Sequence, residues 1–230
     1  MAKLRNIWMT SSNLKLLRAL PALGAMCLLG GCTPSLGTGD FGALIGIAKY
    51  AWSGSQKVTL EEAASVPYAS MGIRIGDASE NMIILASESN GQRLWTSSAR
   101  VAISTKDDGR IVRTAGLTYN LGGYEAKGST QSENGLRVVR WQADFPDLGL
   151  YSVSITCKDQ QAGDETINIL GKDIHTQRVN ESCTSAGGNL DWSFENVYWI
   201  DGSSGLVWRS IQHVHPKLAA VESEILRPPG

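Results

Sequence analysis

The chain has 230 residues and a formal charge of −1, with 42% hydrophobic and 19% charged residues. The apolar content excludes a disordered chain, and the lack of any basic excess to neutralise phosphates argues against nucleic acid as a partner. At about 100–200 residues per domain, the length allows one domain or two small ones, and 25 glycines against 7 prolines fit many turns joining short strands.

Residues 1–18 carry Lys3, Arg5, Lys15 and Arg18 and no acid, and an apolar run over 19–29 follows, broken only by Pro21 and Gly24. The run falls short of the roughly 20 apolar residues that span a bilayer. A basic stretch ahead of a short apolar one is a secretory signal. Leu29-Gly30-Gly31-Cys32 then resembles the lipobox of bacterial lipoproteins, whose cysteine takes a diacylglyceryl group and becomes the first residue after cleavage. The alternative is an ordinary signal with an incidental cysteine. Several acyl chains on one residue would hold firmly where one anchors only marginally. Thr33 follows Cys32. By analogy with enteric lipoproteins, where Asp at that place favours the inner membrane, the expected location is the outer membrane, facing the periplasm. The expected organisation is a signal over 1–31, a tether over 32–40 and a single β domain over 41–230. Loss of 1–31 leaves 17 basic against 22 acidic residues, a charge of −5.

Cys27 leaves with the signal, so Cys157 and Cys183 remain. An even pair in an oxidising compartment reads as a disulfide. Two free thiols are the alternative, while a redox pair would show Cys-x-x-Cys. Alternation over 151–157 puts Tyr151, Val153, Ile155 and Cys157 on one apolar face.

Asp40 can cap a helix, and Phe41, Leu44, Ile45, Ala48 and Trp52 recur at helical spacing. This predicts one amphipathic helix over 41–52. Core packing suits it better than a membrane surface, because its only basic residue is Lys49. Beyond Lys57 the period changes to two. Strands are predicted over 81–87 and 92–98, joined through Asn90-Gly91, a strong hairpin signal. Further strands follow over 100–105 and 110–117 with a turn at 106–109. Residues 122–135 read as a loop or irregular edge. Strands are then expected over 136–145, 150–157, 166–170, 174–179, 191–200 and 206–214, with a tail from Pro216. The fold class is all-β and antiparallel.

No Gly-x-Ser-x-Gly elbow and no phosphate-binding glycine loop occur in the sequence. His213-Val214-His215 could share a strand face and reach one ion, but no third ligand is evident, and no metal or other cofactor is expected. Asp191, Glu195 and Asp201 flank aromatic residues, yet a glycosidase needs two carboxylates facing across a cleft, which spacing does not establish. No catalytic residue is assigned. Arg93, Arg100, Arg110 and Arg113 fall on neighbouring predicted strands and read as a solvated basic face. Tryptophans in a β domain are buried by default, but some could stack on sugars, with arginine forks pairing acidic groups. On that ground Arg140, Trp141, Trp199, Trp208 and Arg209 are the candidate glycan- or partner-binding residues.

Three strings, Gly91-Gln-Arg-Leu-Trp-Thr-Ser97, Asp108-Gly-Arg-Ile-Val-Arg-Thr-Ala-Gly-Leu117 and Gly205-Leu-Val-Trp-Arg-Ser-Ile-Gln212, resemble the YjbF family of lipoproteins, also called the group 4 capsule GfcB family. The likeness spans about 41–227. It implies one large antiparallel meander sheet curved into a half-barrel, and a role in making or exporting an exopolysaccharide or capsule. It implies no catalytic residues, and as natural partners a large outer-membrane β-barrel and a periplasmic β-grasp protein of the same export system. The expected function is a non-enzymatic outer-membrane lipoprotein, held in the lipid bilayer through Cys32, that binds a partner protein or the polysaccharide. The rival readings are a polysaccharide-modifying enzyme and a structural envelope lipoprotein assisting barrel assembly.

Overall fold

A computed structural model describes residues 56–131, 136–185 and 190–230. The expected signal, Cys32, the tether and the helix over 41–52 lie outside the described residues. After a short helix α1, Leu60–Ser65, alternation of inward apolar and outward polar side chains builds the strands. The first five are β1 Ser70–Ile75, β2 Asn81–Ser89, β3 Gln92–Thr96, β4 Ala102–Lys106 and β5 Ile111–Ala115. The next are β6 Gly123–Gln131, β7 Arg137–Phe145, β8 Leu150–Ile169 and β9 Lys172–Ser185. The last are β10 Ser193–Ile200, β11 Val207–Gln212 and β12 Val221–Arg227. The antiparallel all-β expectation holds.

Helix α1 opens on a capping box: Glu62 N donates to Thr59 Oγ1 (3.2 Å) and Thr59 N to Glu62 Oε2 (2.8 Å), satisfying two N-terminal amides. The hairpin signal at Asn90-Gly91 is realised with both residues at positive φ, 51° and 70°, as a type I′ turn demands.

All twelve strands form one sheet in the order β5-β4-β3-β2-β1-β12-β11-β10-β9-β8-β7-β6. Each strand pairs with its sequence neighbour, except that β1 pairs β12 and the two edges, β5 and β6, are themselves consecutive. The sheet curls until these edges meet. Thr114 N donates to Leu121 O (3.0 Å), and Leu121 N to Thr114 Oγ1 (2.9 Å). At this end Asn120 N donates to Asp147 Oδ2 (3.2 Å) and Gly122 N to Asp144 O (2.8 Å). His215 completes the clasp. Its Nδ1 accepts from Lys217 N (3.0 Å), so Nε2 carries the proton and faces Asp147 Oδ1 at 3.2 Å; Tyr119 stacks on the ring.

The inner face is filled. Met71, Ile83, Trp95, Ile103, Val139, Trp141, Phe145, Ile155 and Val221 belong to one buried cluster, each apolar side chain contributing about 1.5–3 kcal/mol relative to exposure. The sheet's two halves touch across it. Gly109, in the β4–β5 turn at φ +74°, lies so close to β11 that a Cβ there would come within 2.6 Å of Val207 Cβ.

Three expectations change, and one choice is resolved: of the loop or irregular edge expected over 122–135, the structure holds the edge strand β6, with a register slip between Ala126 and Gly128. The tail from Pro216 contains β12, whose Val221, Ser223 and Ile225 are buried. Its glutamates disguise it: Glu222 pairs with Arg74, and Glu224 with Arg209 and Lys57. Tyr151 is 64% exposed, because the pairing slips between Ala143 and Phe145 and Ser152 takes φ 53°, so the apolar face begins at Val153. Arg110 is buried, not part of a solvated face. Arg100 and Arg113 are exposed, and Arg93 is half-buried.

Candidate functional site

Polar residues at inward positions of apolar strands form one connected group inside the sheet. On β9, Glu181 alternates with Val179 and Cys183; on β10, Asn196 lies between Phe194 and Tyr198; on β11, Gln212 follows Ser210. Glu181 is fully buried and takes a two-pronged bond from Arg110, Nη1 to Oε2 at 2.9 Å and Nη2 to Oε1 at 2.7 Å. Asn196 Nδ2 donates to Oε2 at 2.8 Å, and the Tyr198 hydroxyl lies at 3.4 Å. Buried ions survive only with such pairing. Burial works against the Arg110 charge, while Tyr198 and Glu181 together hold its pKa above the ordinary arginine value. Burial also pushes the Tyr198 and Tyr124 hydroxyls upward, although Arg110 opposes it.

Gln212 ties this group to the sheet edge. Its Oε1 accepts from Ile111 N (2.9 Å) and its Nε2 donates to Gly109 O (2.9 Å). The Arg110 guanidinium lies 4.4 Å from the Trp141 ring centre, a cation–π contact, and Trp141 stacks on Tyr124 at 4.7 Å. Behind them Cys157 and Cys183, directly opposite in the β8–β9 register, form a disulfide. The Tyr124 hydroxyl lies 3.6 Å from Cys157 Sγ. Asp159, half-buried beside Glu181, has its carboxyl pKa raised by burial first and by Glu181 next, with Arg110 and Arg137 opposing.

Between this group and Phe145, Trp192 and Phe194 lies a cleft with space for about one water molecule, far too little for a sugar ring. Cys157, Cys183 and Glu181 bring ligand-type atoms within 4.8 Å of one another, but the sulfurs are joined and Glu181 is taken by Arg110. The two histidines have separate commitments: His213 Nδ1 bonds Glu195 O at 2.8 Å, and His215 belongs to the clasp. Asp191 and Glu195 are exposed, with Ser182 Oγ donating to Glu195 at 3.2 Å. Asp201 serves its turn. The Ser203 hydroxyl and the Ser204 and Ser203 amides hold its carboxyl well below the usual range.

The five binding candidates separate. Trp141 is interior. Trp199, 7% exposed, lies on the opposite face under Ile167, Ile169 and Ile174 of the β8–β9 hairpin end, with Trp208 beside it. Arg209 joins them, 5.7 Å from the Trp199 ring centre, with Nε on Glu224 (2.6 Å) and Nη2 on Asn168 O (3.1 Å). Arg140 stands exposed on β7. The interior group went unassigned from sequence, although a charge or amide at an inward position of a buried strand is its signal.

Fold and interior define a class: an all-β protein whose nearly closed sheet encloses a packed, ion-paired core. The chain matches the family described as Group 4 capsule polysaccharide lipoprotein gfcB, YjbF, over residues 47–226, and it belongs to that family. It is 26% identical to an uncharacterized lipoprotein GfcB of Escherichia coli (strain K12) over 182 residues, 76% of this chain and 84% of that one. The crystal structure of the hypothetical lipoprotein YmcC from Escherichia coli (K12) shares the fold, with a TM-score of 0.59 and 20% identity, covering 86% of this chain and 100% of that chain. Among the described residues no helix is long and apolar enough to cross a membrane.

Proposed function

We propose that this protein is a lipid-anchored accessory factor for the production or export of an extracellular polysaccharide, acting by binding rather than by turnover. The observation that carries the reading is the match to a capsule polysaccharide lipoprotein family across 47–226. Two features support it. Leu29-Gly30-Gly31-Cys32 provides for an anchor at Cys32, with Thr33 favouring the outer membrane and a periplasm-facing domain. The interior Glu181, Asn196 and Gln212 side chains are engaged by neighbouring groups of the protein, which supports contacts made from the outside of the sheet. An outer-membrane β-barrel and a periplasmic β-grasp protein of the same export system are the partners in this reading, with the polymer as the third.

The test is genetic and chemical. Deleting the gene lowers cell-surface polysaccharide under inducing conditions, and Cys32→Ser fails to restore it, leaving an unacylated protein. Unchanged polymer output after deletion, or general outer-membrane defects without a polymer-specific one, would sink the reading. Conversion of a polysaccharide by the purified protein would replace binding with catalysis.

A further inference from the structure

Strands β7 to β10 lie side by side with Trp141, Ile155, Cys157, Cys183 and Phe194 turned inward and buried. Their outer face is organised by register. Arg140 lies opposite Thr156, Thr156 opposite Thr184, and Thr184 opposite Ser193. Residues directly opposite share a face, so a guanidinium and three hydroxyls form one straight row. At about 4.8 Å between strands the row runs roughly 14 Å across the sheet. Lys158 projects from the same face two residues beyond Thr156.

Arg140 and Lys158 are exposed. Neither has an ion pair among the described residues, whereas Arg74, Arg93, Arg137, Arg178 and Arg209 each hold a carboxylate. On its edge side Arg140 faces Gly128, where no atom of the described residues lies within 4 Å of the position a Cβ would take. The strip thus presents two uncommitted cations and a row of hydroxyls, with its approach left open by a glycine.

We propose that this strip binds an acidic polysaccharide lying across the strands, its hydroxyls meeting Thr156, Thr184 and Ser193 and its carboxylates meeting Arg140 and Lys158. The proposal rests on the polymer-related function given above and adds the site and the ligand class. Chemistry favours a glycan over a protein. The row from Arg140 to Ser193 carries no aromatic side chain, and the apolar ones on the same face, Leu136 and the half-buried Val138 opposite Lys158, stand beside the row and not in it, whereas protein interfaces centre on buried aromatic and aliphatic anchors. A row of hydroxyls at the strand spacing suits a polyhydroxylated chain that advances by a similar step per sugar. Paired guanidinium–carboxylate contact is strong and directional. Glu195, opposite Ser182, puts negative charge at the far end, so the polymer's acidic groups gather toward β7 and β8.

The experiment uses the full lipidated chain in detergent micelles, with oligogalacturonate as the acidic probe and dextran as the neutral one, followed by calorimetry. Oligogalacturonate binds, and salt weakens it as screening requires. Arg140→Gln with Lys158→Gln lowers its affinity at least tenfold. Thr156→Val with Thr184→Val, which keeps β-branched shape and removes two hydroxyls, lowers it several-fold. Arg113→Gln with Lys172→Gln, at exposed positions away from the strip, leaves it unchanged. Cooperative thermal unfolding of every variant confirms the fold. No binding of oligogalacturonate, equal binding of dextran, or full affinity in the Arg140/Lys158 variant overturns the strip. So does a photo-crosslinking residue at position 156 that captures a protein and no glycan. In cells the two readings separate. If the Arg140/Lys158 variant fully restores polymer in the deletion strain, the strip is wrong and the accessory role stands. If deletion leaves polymer unchanged, the accessory role is wrong whatever the calorimetry reads.

Discussion

Arg110 and Glu181 occupy a site from which water is nearly excluded, so each charge depends on the other. Removing one partner of such a pair leaves a bare buried charge and costs about 3–5 kcal/mol. Arg110→Met is therefore expected to lower stability by that amount in urea titration, and adding Glu181→Gln to recover part of the loss. A lone Arg110→Met variant as stable as wild type would show that the pair is not desolvated. His215 carries a pH signature. Burial lowers its pKa below the ordinary value of 6.5, against the pull of Asp147, with Lys217 adding to the lowering. The unfolded chain then takes up this proton at higher pH than the folded one. The stability held by neutral His215 is complete above about pH 7, falls as the pH drops through 6.5, and levels below the lowered folded value. His215→Gln flattens that part of the stability–pH curve, and an unchanged slope would remove His215 from the clasp. None of these roles was legible in composition. Arg110 looked like any arginine at the head of a strand, because only the partner strands show that its position faces inward.

The β8–β9 hairpin combines what periodicity reveals with what it misses. Its inner end alternates cleanly through Val153, Ile155 and Cys157, and the disulfide pairing follows from two inward cysteines. Over 158–165 side chains are mostly exposed on both faces, so no hydrophobic alternation marks the strand. Beyond the Val138–Lys158 pair with β7, ladder pairing with β9 alone holds it, through a register slip between Gln161 and Gly163. The bridge closes a segment with a sequence separation of 26, which in the chain-entropy model stabilises by about 3–4 kcal/mol. Cys157→Ala with Cys183→Ala should lower the urea midpoint accordingly, and reductant should shift wild type but not the variant. Alkylation before reduction should leave both thiols unlabelled in mass spectra. Labelling of both would count against the bridge. Strand β12 misled for a different reason. Its Glu222 and Glu224 read as a solvated tail until Arg74, Arg209 and Lys57 are seen beside them.

At the scale of the whole molecule, the strand order places the first and last strands at the centre and two consecutive strands at the edges. Removing residues 221–230 therefore splits the sheet between β1 and β11 instead of trimming an end. The truncated chain is expected to lose cooperative unfolding in calorimetry; a sharp transition near the wild-type temperature would contradict the central place of β12. The closing contacts at Thr114, Leu121, Asp147 and His215 shield the β5 and β6 edges, which would otherwise offer unpaired backbone to another chain. By itself the sequence determined the antiparallel all-β class, most of the hairpins, the inward face of Cys157, and the family, because each of these is written in local alternation, turn residues or contiguous strings. Only the tertiary structure decided that β1 meets β12, that Arg110 meets Glu181 across 71 positions, and that Arg140 lines up with Thr156, Thr184 and Ser193. Those facts depend on register and curvature, and register is set by how distant strands pack, which no local pattern carries.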